Sequence, residues 1–329
     1  MPNNVAVQAT ARLHLGFLDL NGSIGRRFGS IGLALDAPAT TLTLARASSQ
    51  RVTGPEHLRA AAHLEKMQRH LGLTGHYELV LREAIPAHAG LGSGTQLALA
   101  VATALRRLEG FDLDIPGDAE QLQRGARSGA GAGLFTQGGL IVDGGHGTRK
   151  GTPPVLARLA FPESWRIVLV MDKGIKGVHG EDERAAFATL PQFQASGAAD
   201  ICRHVLMQAL PALIESDIGQ FGAAIAQIQT ILGDYFAPAQ GGRYTSAAVG
   251  KIMAALGETG AHGLGQSSWG PTGFAFAESE GEARRLVDQV AQDAALLHLD
   301  VLICKGLNYG ARIETNTETK NLEHQIQSG

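Results

Sequence analysis

Two stretches of the chain follow the two-residue rhythm of a half-buried strand, 5–10 and 39–45, the second running Thr40-Thr41-Leu42-Thr43-Leu44-Ala45. Between them, Ala11 to Asp36 is broken by glycine and reads as a loop carrying Arg12, His14, Asp19, Arg26 and Arg27. Leu58, Ala61, Leu64, Met67 and Leu71 fall at helical spacing and predict a helix over 57–71, stopped by Gly72. A short strand follows at Tyr77–Leu81, then a turn from Ala84 to Gly94 and an apolar helix from Thr95 to Leu108 that Gly110 ends. A helix over 118–127, a glycine stretch over 128–139 and a strand at Leu140–Asp143 complete the first half. The segment 144–163, with Pro153, Pro154 and Pro162, predicts a domain boundary. Beyond it the pattern predicts a strand at Arg166–Met171, helices near 181–190, 198–209, 211–230 and 245–257, strands at 261–265 and 273–277, a helix at 281–293 and a strand at 299–304. Strands and helices mix without strict alternation, so the expected class is α+β. The expected domains are 1–158 and 159–314, followed by a polar tail at 315–329.

Composition narrows the function classes. A chain of 329 residues, 44% hydrophobic and 18% charged, is globular and long enough for two cores. Its 28 Lys and Arg against 31 Asp and Glu give a net charge of −3, so no global positive field draws it to nucleic acid or an anionic membrane. Any anion site is built locally. Cys202 and Cys304 lie far apart with no CxxC spacing, which fits neither a disulfide framework nor a zinc knuckle and suits a reducing, cytoplasmic setting. No basic stretch followed by an apolar run opens the chain, and the most apolar helical segment, Leu97–Leu105, is half the length of a membrane span. A soluble protein is expected. Glycine, 43 residues, exceeds the usual share of about 7% and gathers at 16–32, 90–94, 125–151 and 260–273. Glycine that punctuates strands and helices in this way suits close approach of backbone to a ligand.

The chemistry centres on Pro86-Ala87-His88-Ala89-Gly90-Leu91-Gly92-Ser93-Gly94-Thr95-Gln96, set between a strand and a buried helix. A helix start offers unpaired N–H groups and the positive end of the macrodipole, so it attracts phosphate. Gly90, Gly92 and Gly94 let the backbone curl into an anion nest, Ser93 and Thr95 add hydroxyls, and Thr95 can touch a phosphate-borne Mg²⁺. Neither a Walker loop nor a GxGxxG fingerprint is present.

This loop resembles the phosphate-binding motif of the GHMP kinase superfamily, Pro-x-x-x-Gly-Leu-Gly-Ser-Ser, although Gly94-Thr95-Gln96 stands where the kinases carry Ser-Ala or Ser-Ser. The resemblance extends to a non-kinase branch, the β-ribofuranosylaminobenzene 5′-phosphate synthases of the methanopterin pathway. Four segments carry it: Ala11 to Asp19 with the following Gly22-Ser-Ile-Gly-Arg26-Arg27; Gly90 to Gln96; Arg127-Ser128-Gly129 with Gly138 to Gly145; and Gly265 to Pro271. It implies a two-domain fold, a ribosomal protein S5 domain 2-like N-terminal part with a ferredoxin-like C-terminal part. It also implies a phosphoribosyltransferase that joins 5-phosphoribosyl-1-pyrophosphate to 4-aminobenzoate or 4-hydroxybenzoate, releases CO₂ and pyrophosphate, uses Mg²⁺ and works as a homodimer. An ATP-dependent small-molecule kinase and a non-catalytic nucleotide-binding protein are the alternatives on the same scaffold.

Residue by residue, the resemblance places Arg12, His14 and Asp19 at the active site, with Arg26 a weaker substrate contact. Arg12, His14 or Lys173 would bind a sugar phosphate or the benzoate carboxylate. Lys173, Lys176 and His179, after the strand at 166–171, suit phosphate, while Glu181 and Glu183 either hold Mg²⁺ or favour a helix start. Gly90, Leu91, Gly92, Ser93, Gly94, Thr95 and Gln96, with Arg127 and Ser128 after Arg124, form the phosphate side. Gln266, Ser267, Ser268, Trp269 and Gly270 form the substrate side, where Trp269 offers a flat face to an aromatic ring. No clear acid falls within 125–139, and that counts against phosphoryl transfer to a hydroxyl, which gains from a positioned base. The other histidines, His63 among them, read as structural or solvated.

Overall fold

In the computed structural model the described residues are 2–125, 127–148, 151–177 and 180–316, without the side chains at 181, 182 and 184. The strands are β1 (Asn4–Asp19), β2 (Phe28–Ala47), β3 (Arg51–Thr53), β4 (His76–Glu83), β5 (Leu140–Asp143), β6 (Val155–Leu159), β7 (Arg166–Asp172), β8 (His262–Gln266), β9 (Thr272–Ala277), β10 (Leu299–Cys304) and β11 (Arg312–Asn316). The helices are α1 (His57–Leu71), α2 (Ser93–Glu109), α3 (Ile115–Gln121), α4 (Ala130–Gln137), α5 (Gly180–Thr189), α6 (Ala195–His204), α7 (Leu210–Glu215), α8 (Ile218–Gln240), α9 (Ala247–Glu258) and α10 (Glu280–Leu296).

A first sheet runs β11-β1-β2-β4-β3, with β5 and β6 added beside β2. A second runs β10-β7-β9-β8, antiparallel throughout, which is the strand order of a ferredoxin-like domain. The expected α+β class holds. Residues 312–316, placed by sequence in the second domain and the tail, pair with β1 and belong to the first sheet.

Four local expectations are corrected. Ala11–Asp36 is not a loop: it forms the far halves of β1 and β2, a long hairpin turning at 20–27. The apolar residues between its glycines explain this, because Leu13, Leu15, Phe17, Ile31, Leu33 and Leu35 are buried between the two bodies. The glycine stretch 128–139 holds α4, and the expected boundary 144–163 holds β6, which pairs with β5. Helix 198–209 does not stop before Pro211. It runs through a π turn at Val205–Ala209 into α7, and the break falls at Ser216 (φ 58°) and Asp217, whose Oδ1 accepts the Gln220 N–H at 2.9 Å.

Three cores position the site. Leu42, Leu44, Leu79 and Leu81 of the first sheet pack on α1 and on α2, which is buried on all sides from Gln96 to Arg106. That burial holds the start of α2 rigid. The far halves of β1 and β2 pack on α6, α8 and the inner face of the second sheet, through Phe17, Phe221, Ile225 and Phe274. The outer face of the second sheet packs on α9 and α10 through Val168, Val170, Ile252 and Leu286. Among the described residues no helix is long and apolar enough to cross a membrane.

Candidate active site

The two bodies meet where β1 loses regular register with β2, between Thr10 and Arg12 and again between His14 and Gly16. Such irregularities re-aim side chains, and here they flank the two polar residues Arg12 and His14. The Arg12 N–H donates to Leu91 O (3.0 Å) and the His14 N–H donates to Ser267 Oγ (3.0 Å). Ser267 Oγ in turn donates to Gly90 O (2.9 Å). Strand, glycine loop and second-domain turn are thereby tied into one unit. Gly90 (φ 82°) is indispensable there, because a Cβ would stand 2.1 Å from Ser267 O.

A cleft of about 450 Å³ opens over this unit. At one end lies the start of α2, whose first residues, Ser93 and Gly94, have no intrahelical acceptor for their N–H groups. Three guanidinium groups surround it: Arg12 from β1, Arg59 from α1 and Arg124 from beyond α3. A Cβ on Gly94 would stand 3.0 Å from a terminal nitrogen of both Arg59 and Arg124. Arg59 pairs with Glu56 at 2.7 Å. The Nε atoms of Arg12 and Arg124 are buried and have no hydrogen-bond partner among the described residues. Burial lowers the pKa of Arg12 against the opposing pull of Asp143 and Glu183, and burial followed by Arg59 lowers that of Arg124. Three cations crowded on a helix N-terminus, two with orphaned donors, call for a multiply charged anion.

At the other end lies Trp269, 3% exposed, tilted on Phe236 (centroids 4.4 Å) and edge-on to Phe187 (5.5 Å). Its indole N–H has no partner among the described residues. Ser268 beside it adopts φ 57°, a conformation unusual for a side chain larger than glycine.

Of the residues expected from sequence, Arg12, Gly90, Gly92, Ser93, Gly94, Thr95, Ser268, Trp269 and Gly270 line this cleft. Leu91 is buried beneath it, and buried Gln96 donates from Nε2 to Gly131 O (3.0 Å). Ser267 acts as the tie described above. Gln266 is occupied structurally: its Oε1 accepts the Thr245 N–H (2.6 Å) and its Nε2 donates to Ser268 O (3.1 Å).

Others lie elsewhere. Asp19 ends β1, where its Oδ1 accepts the N–H groups of Asn21 and Gly22 and shapes the hairpin turn. Exposed Arg26 donates to Gly144 O (2.8 Å) and Gly145 O (2.9 Å), holding a neighbouring turn. Lys173 is exposed and pairs with Asp300 across β7 and β10. Arg127 is ion-paired with Glu183 and lies over the Phe187 ring at 5.3 Å. Ser128 donates to Asp143 Oδ2 (3.0 Å), and that buried carboxylate also accepts from Ser30 Oγ (2.6 Å) and the Gly145 N–H (2.9 Å). His179 and the side chain of Glu181 lie outside the described residues.

Arg59 is the member that the sequence hides, since it sits on the polar face of α1 with nothing to set it apart from a solvated arginine. Arg124 is separated from the loop by two helices, α2 and α3, and only folding brings the two together. Glu183 contributes a carboxylate to the cleft wall. No cluster of three metal-ligating side chains exists among the described residues. One carboxylate with the Ser93 and Thr95 hydroxyls nonetheless fits a Mg²⁺ carried in by phosphate oxygens, the usual manner of holding that ion.

Comparison with known proteins bears on family and fold. The descriptions GHMP kinases N terminal domain and GHMP kinases C terminal match residues 56–140 and 209–295. The chain is 35% identical to a protein of Archaeoglobus fulgidus named beta-ribofuranosylphenol 5′-phosphate synthase, over 94% of this chain and 99% of that one. It is 29% identical to a protein of the same name from Methanothermobacter thermautotrophicus, over 83% and 89%. Homoserine kinase of Cytophaga hutchinsonii shares the fold, with a TM-score of 0.71 at 18% identity, covering 95% of this chain and 98% of that one.

Proposed function

The chain belongs to the GHMP kinase superfamily and, within it, to the family of the β-ribofuranosylphenol 5′-phosphate synthases, and on that premise we propose that this enzyme transfers the phosphoribosyl group of 5-phosphoribosyl-1-pyrophosphate to a para-substituted benzoate. The observation that carries the proposal is the set of orphaned, buried Nε donors of Arg12 and Arg124 beside the start of α2. A leaving pyrophosphate supplies the charge these groups lack. The bond from sugar C1 to the pyrophosphate oxygen breaks with its electron pair on that oxygen, where Arg12, Arg59, Arg124 and the first-turn N–H groups stabilise it. The ring carbon bearing the carboxylate bonds to C1. The carbon–carboxylate bond then breaks, CO₂ departs and its electron pair restores the aromatic ring. Mg²⁺ carried on the pyrophosphate would add charge neutralisation beside Glu183 and Thr95.

The cleft walls favour this chemistry over phosphoryl transfer to a hydroxyl. Glu183 is the described carboxylate on the cleft wall and it is paired with Arg127, while Asp143 is satisfied by serine and backbone donors. A kinase gains from an unencumbered base there. Of the two acceptors, 4-hydroxybenzoate is the one whose product is a ribofuranosylphenol, the word in the relatives' name. Incubation with phosphoribosyl pyrophosphate, Mg²⁺ and carboxyl-labelled 4-hydroxybenzoate should release labelled CO₂ and pyrophosphate in equal amounts, and 4-aminobenzoate serves as the parallel arm. No release from either acid, together with ADP formation from ATP and a small alcohol, would overturn the proposal in favour of a kinase.

A further inference from the structure

A second, smaller chamber adjoins the cleft, and Ser268 and Trp269 line both. His14, Phe17, Leu232 and Phe236 line it too, with the amides of Gln229, Gln240 and Gln266 and with Arg243, whose guanidinium is ion-paired to Asp234. Its volume, about 30 Å³, is room for one or two water-sized groups. It admits the end of a flat ring and not the ring itself.

The amides are already committed. Gln229 donates to Leu15 O (2.7 Å) and accepts the Gln266 N–H (2.8 Å), while Gln240 donates to Arg243 O (3.1 Å) and accepts from Gln266 Nε2 (3.3 Å). His14 differs. Its backbone N–H is used and its ring meets Phe17 edge-on at 4.6 Å, while the ring itself hydrogen-bonds only its own backbone and no other residue among the described ones. Burial first, and Arg12 second, lower its pKa well below the usual histidine range against the opposing hydrogen bond to its own backbone, so the ring is neutral and keeps one nitrogen for a ligand. A neutral imidazole is poorly suited to phosphate or carboxylate. It is well suited to a hydroxyl or an aryl amine.

We propose that this chamber receives the para substituent of the aromatic acceptor and that His14 hydrogen-bonds it, so that His14 selects a ring bearing a hydroxyl or amino group. The proposal rests on the para-substituted benzoate reading above. The ring then passes Ser268 and Trp269 into the cleft, with its carboxylate-bearing carbon toward the arginine end. Accepting the substituent's proton in a hydrogen bond raises electron density at the para carbon, which is the carbon that attacks C1.

The test is binding, measured by calorimetry on the protein loaded with magnesium pyrophosphate, for 4-hydroxybenzoate against 4-methylbenzoate. The methyl group fills the same space without a hydrogen bond, so the wild-type protein should favour the hydroxyl compound by about tenfold, the effect of one buried hydrogen bond. His14→Phe should abolish the preference, and His14→Asn, which keeps a donor and an acceptor, should retain part of it. A wild-type protein that binds the two alike, or binds neither, overturns the proposal without any variant. So does a preference that survives in both variants. The CO₂ assay separates the two readings: release without a hydroxyl preference removes only the role of His14, and a preference without release removes only the transferase.

Discussion

The two ends of the cleft differ in the kind of group they bury. At the arginine end, buried donors of Arg12 and Arg124 lack partners among the described residues, and Arg59 and Arg124 repel each other over Gly94. At the aromatic end, Trp269, Phe236, Phe187 and Phe17 pack edge to face, and the amide of Gln266 is bonded through both its oxygen and its nitrogen. Burying apolar rings stabilises the empty protein, whereas burying unpaired charge costs it stability until an anion arrives. The arginine end is thus the one strained until a ligand arrives, while the aromatic end adds rigidity and leaves the Trp269 indole N–H without a partner among the described residues.

The largest effect should come from breaking the tie between the ends. In Gly90→Val a Cβ would fall 2.1 Å from Ser267 O, and φ 82° adds strain. Moving that backbone disturbs the Ser267 link to His14 and to the glycine loop together. The expected result is a loss of activity of about a hundredfold or more and a stability loss of about 2–4 kcal/mol, read by CO₂ release and denaturant melts. Activity within threefold of wild type would show that the two ends do not depend on their shared turn.

Next, the ends should respond with opposite signs. Arg124→Met removes a desolvated charge, so the empty protein should melt at the same temperature or higher, while affinity for pyrophosphate falls about ten- to a hundredfold. Phe236→Ala should do the reverse to stability, costing about 3–5 kcal/mol as a cavity opens against Trp269. If Arg124→Met lowers the melting temperature as Phe236→Ala does, the arginine end is ordinary structure rather than a strained anion site.

How far the sequence foretold these two ends depends on whether a signal is local. The bounds 57–71, 140–143 and 299–304 are right to the residue, because helical spacing, β-branched runs and glycine stops act within a few residues. The hairpin of β1 and β2 was hidden because glycine there serves close packing as well as turning. Gly32 faces Leu134 and Ala130, and Gly131 of the unforeseen α4 faces Thr95. The glycine loop was legible for the same local reason as the helices. Arg59 and Arg124 were not, since their meeting over Gly94 depends on how α1 and α3 pack on α2. Asp19 and Arg26, placed by a motif the resemblance marks, and Lys173, placed by its position at a strand's end, are engaged by hydrogen bonds and an ion pair outside the cleft lining.

The arginine end also sets a pH dependence. Burial first, then Arg124, Arg59 and Lys66, push the pKa of His63 down to about 4, and the ring is 9% exposed. The fold accepts the neutral ring, so this stabilisation is complete above an unfolded histidine's pKa of about 6.5 and is lost as the pH falls toward 4. The loss is on the order of 3 kcal/mol, with His14 adding to it in the same direction. His63→Gln should flatten the stability profile between pH 6.5 and 4 in urea melts. Magnesium pyrophosphate should lessen the slope in part in the wild type, by offsetting the two arginines while burial, the largest cause, remains. A wild-type profile that the ligand leaves unchanged would place the anion away from Arg59 and Arg124.

The smallest effect belongs to Lys173, which sequence alone ranks beside Arg12. Its ammonium is exposed and paired with Asp300 at the rim of the second sheet, and exposed ion pairs contribute roughly 0–1 kcal/mol. Lys173→Ala should therefore change kcat/KM for phosphoribosyl pyrophosphate by less than about twofold. Arg12→Met in the same assay should cost about ten- to a hundredfold. Gly177, four residues further on, does line the cleft, and its N–H donates to His88 O at 3.0 Å. A tenfold loss in Lys173→Ala would thus mean that the segment after β7 folds in over the bound phosphates, giving the arginine end a fourth cation when substrate is present.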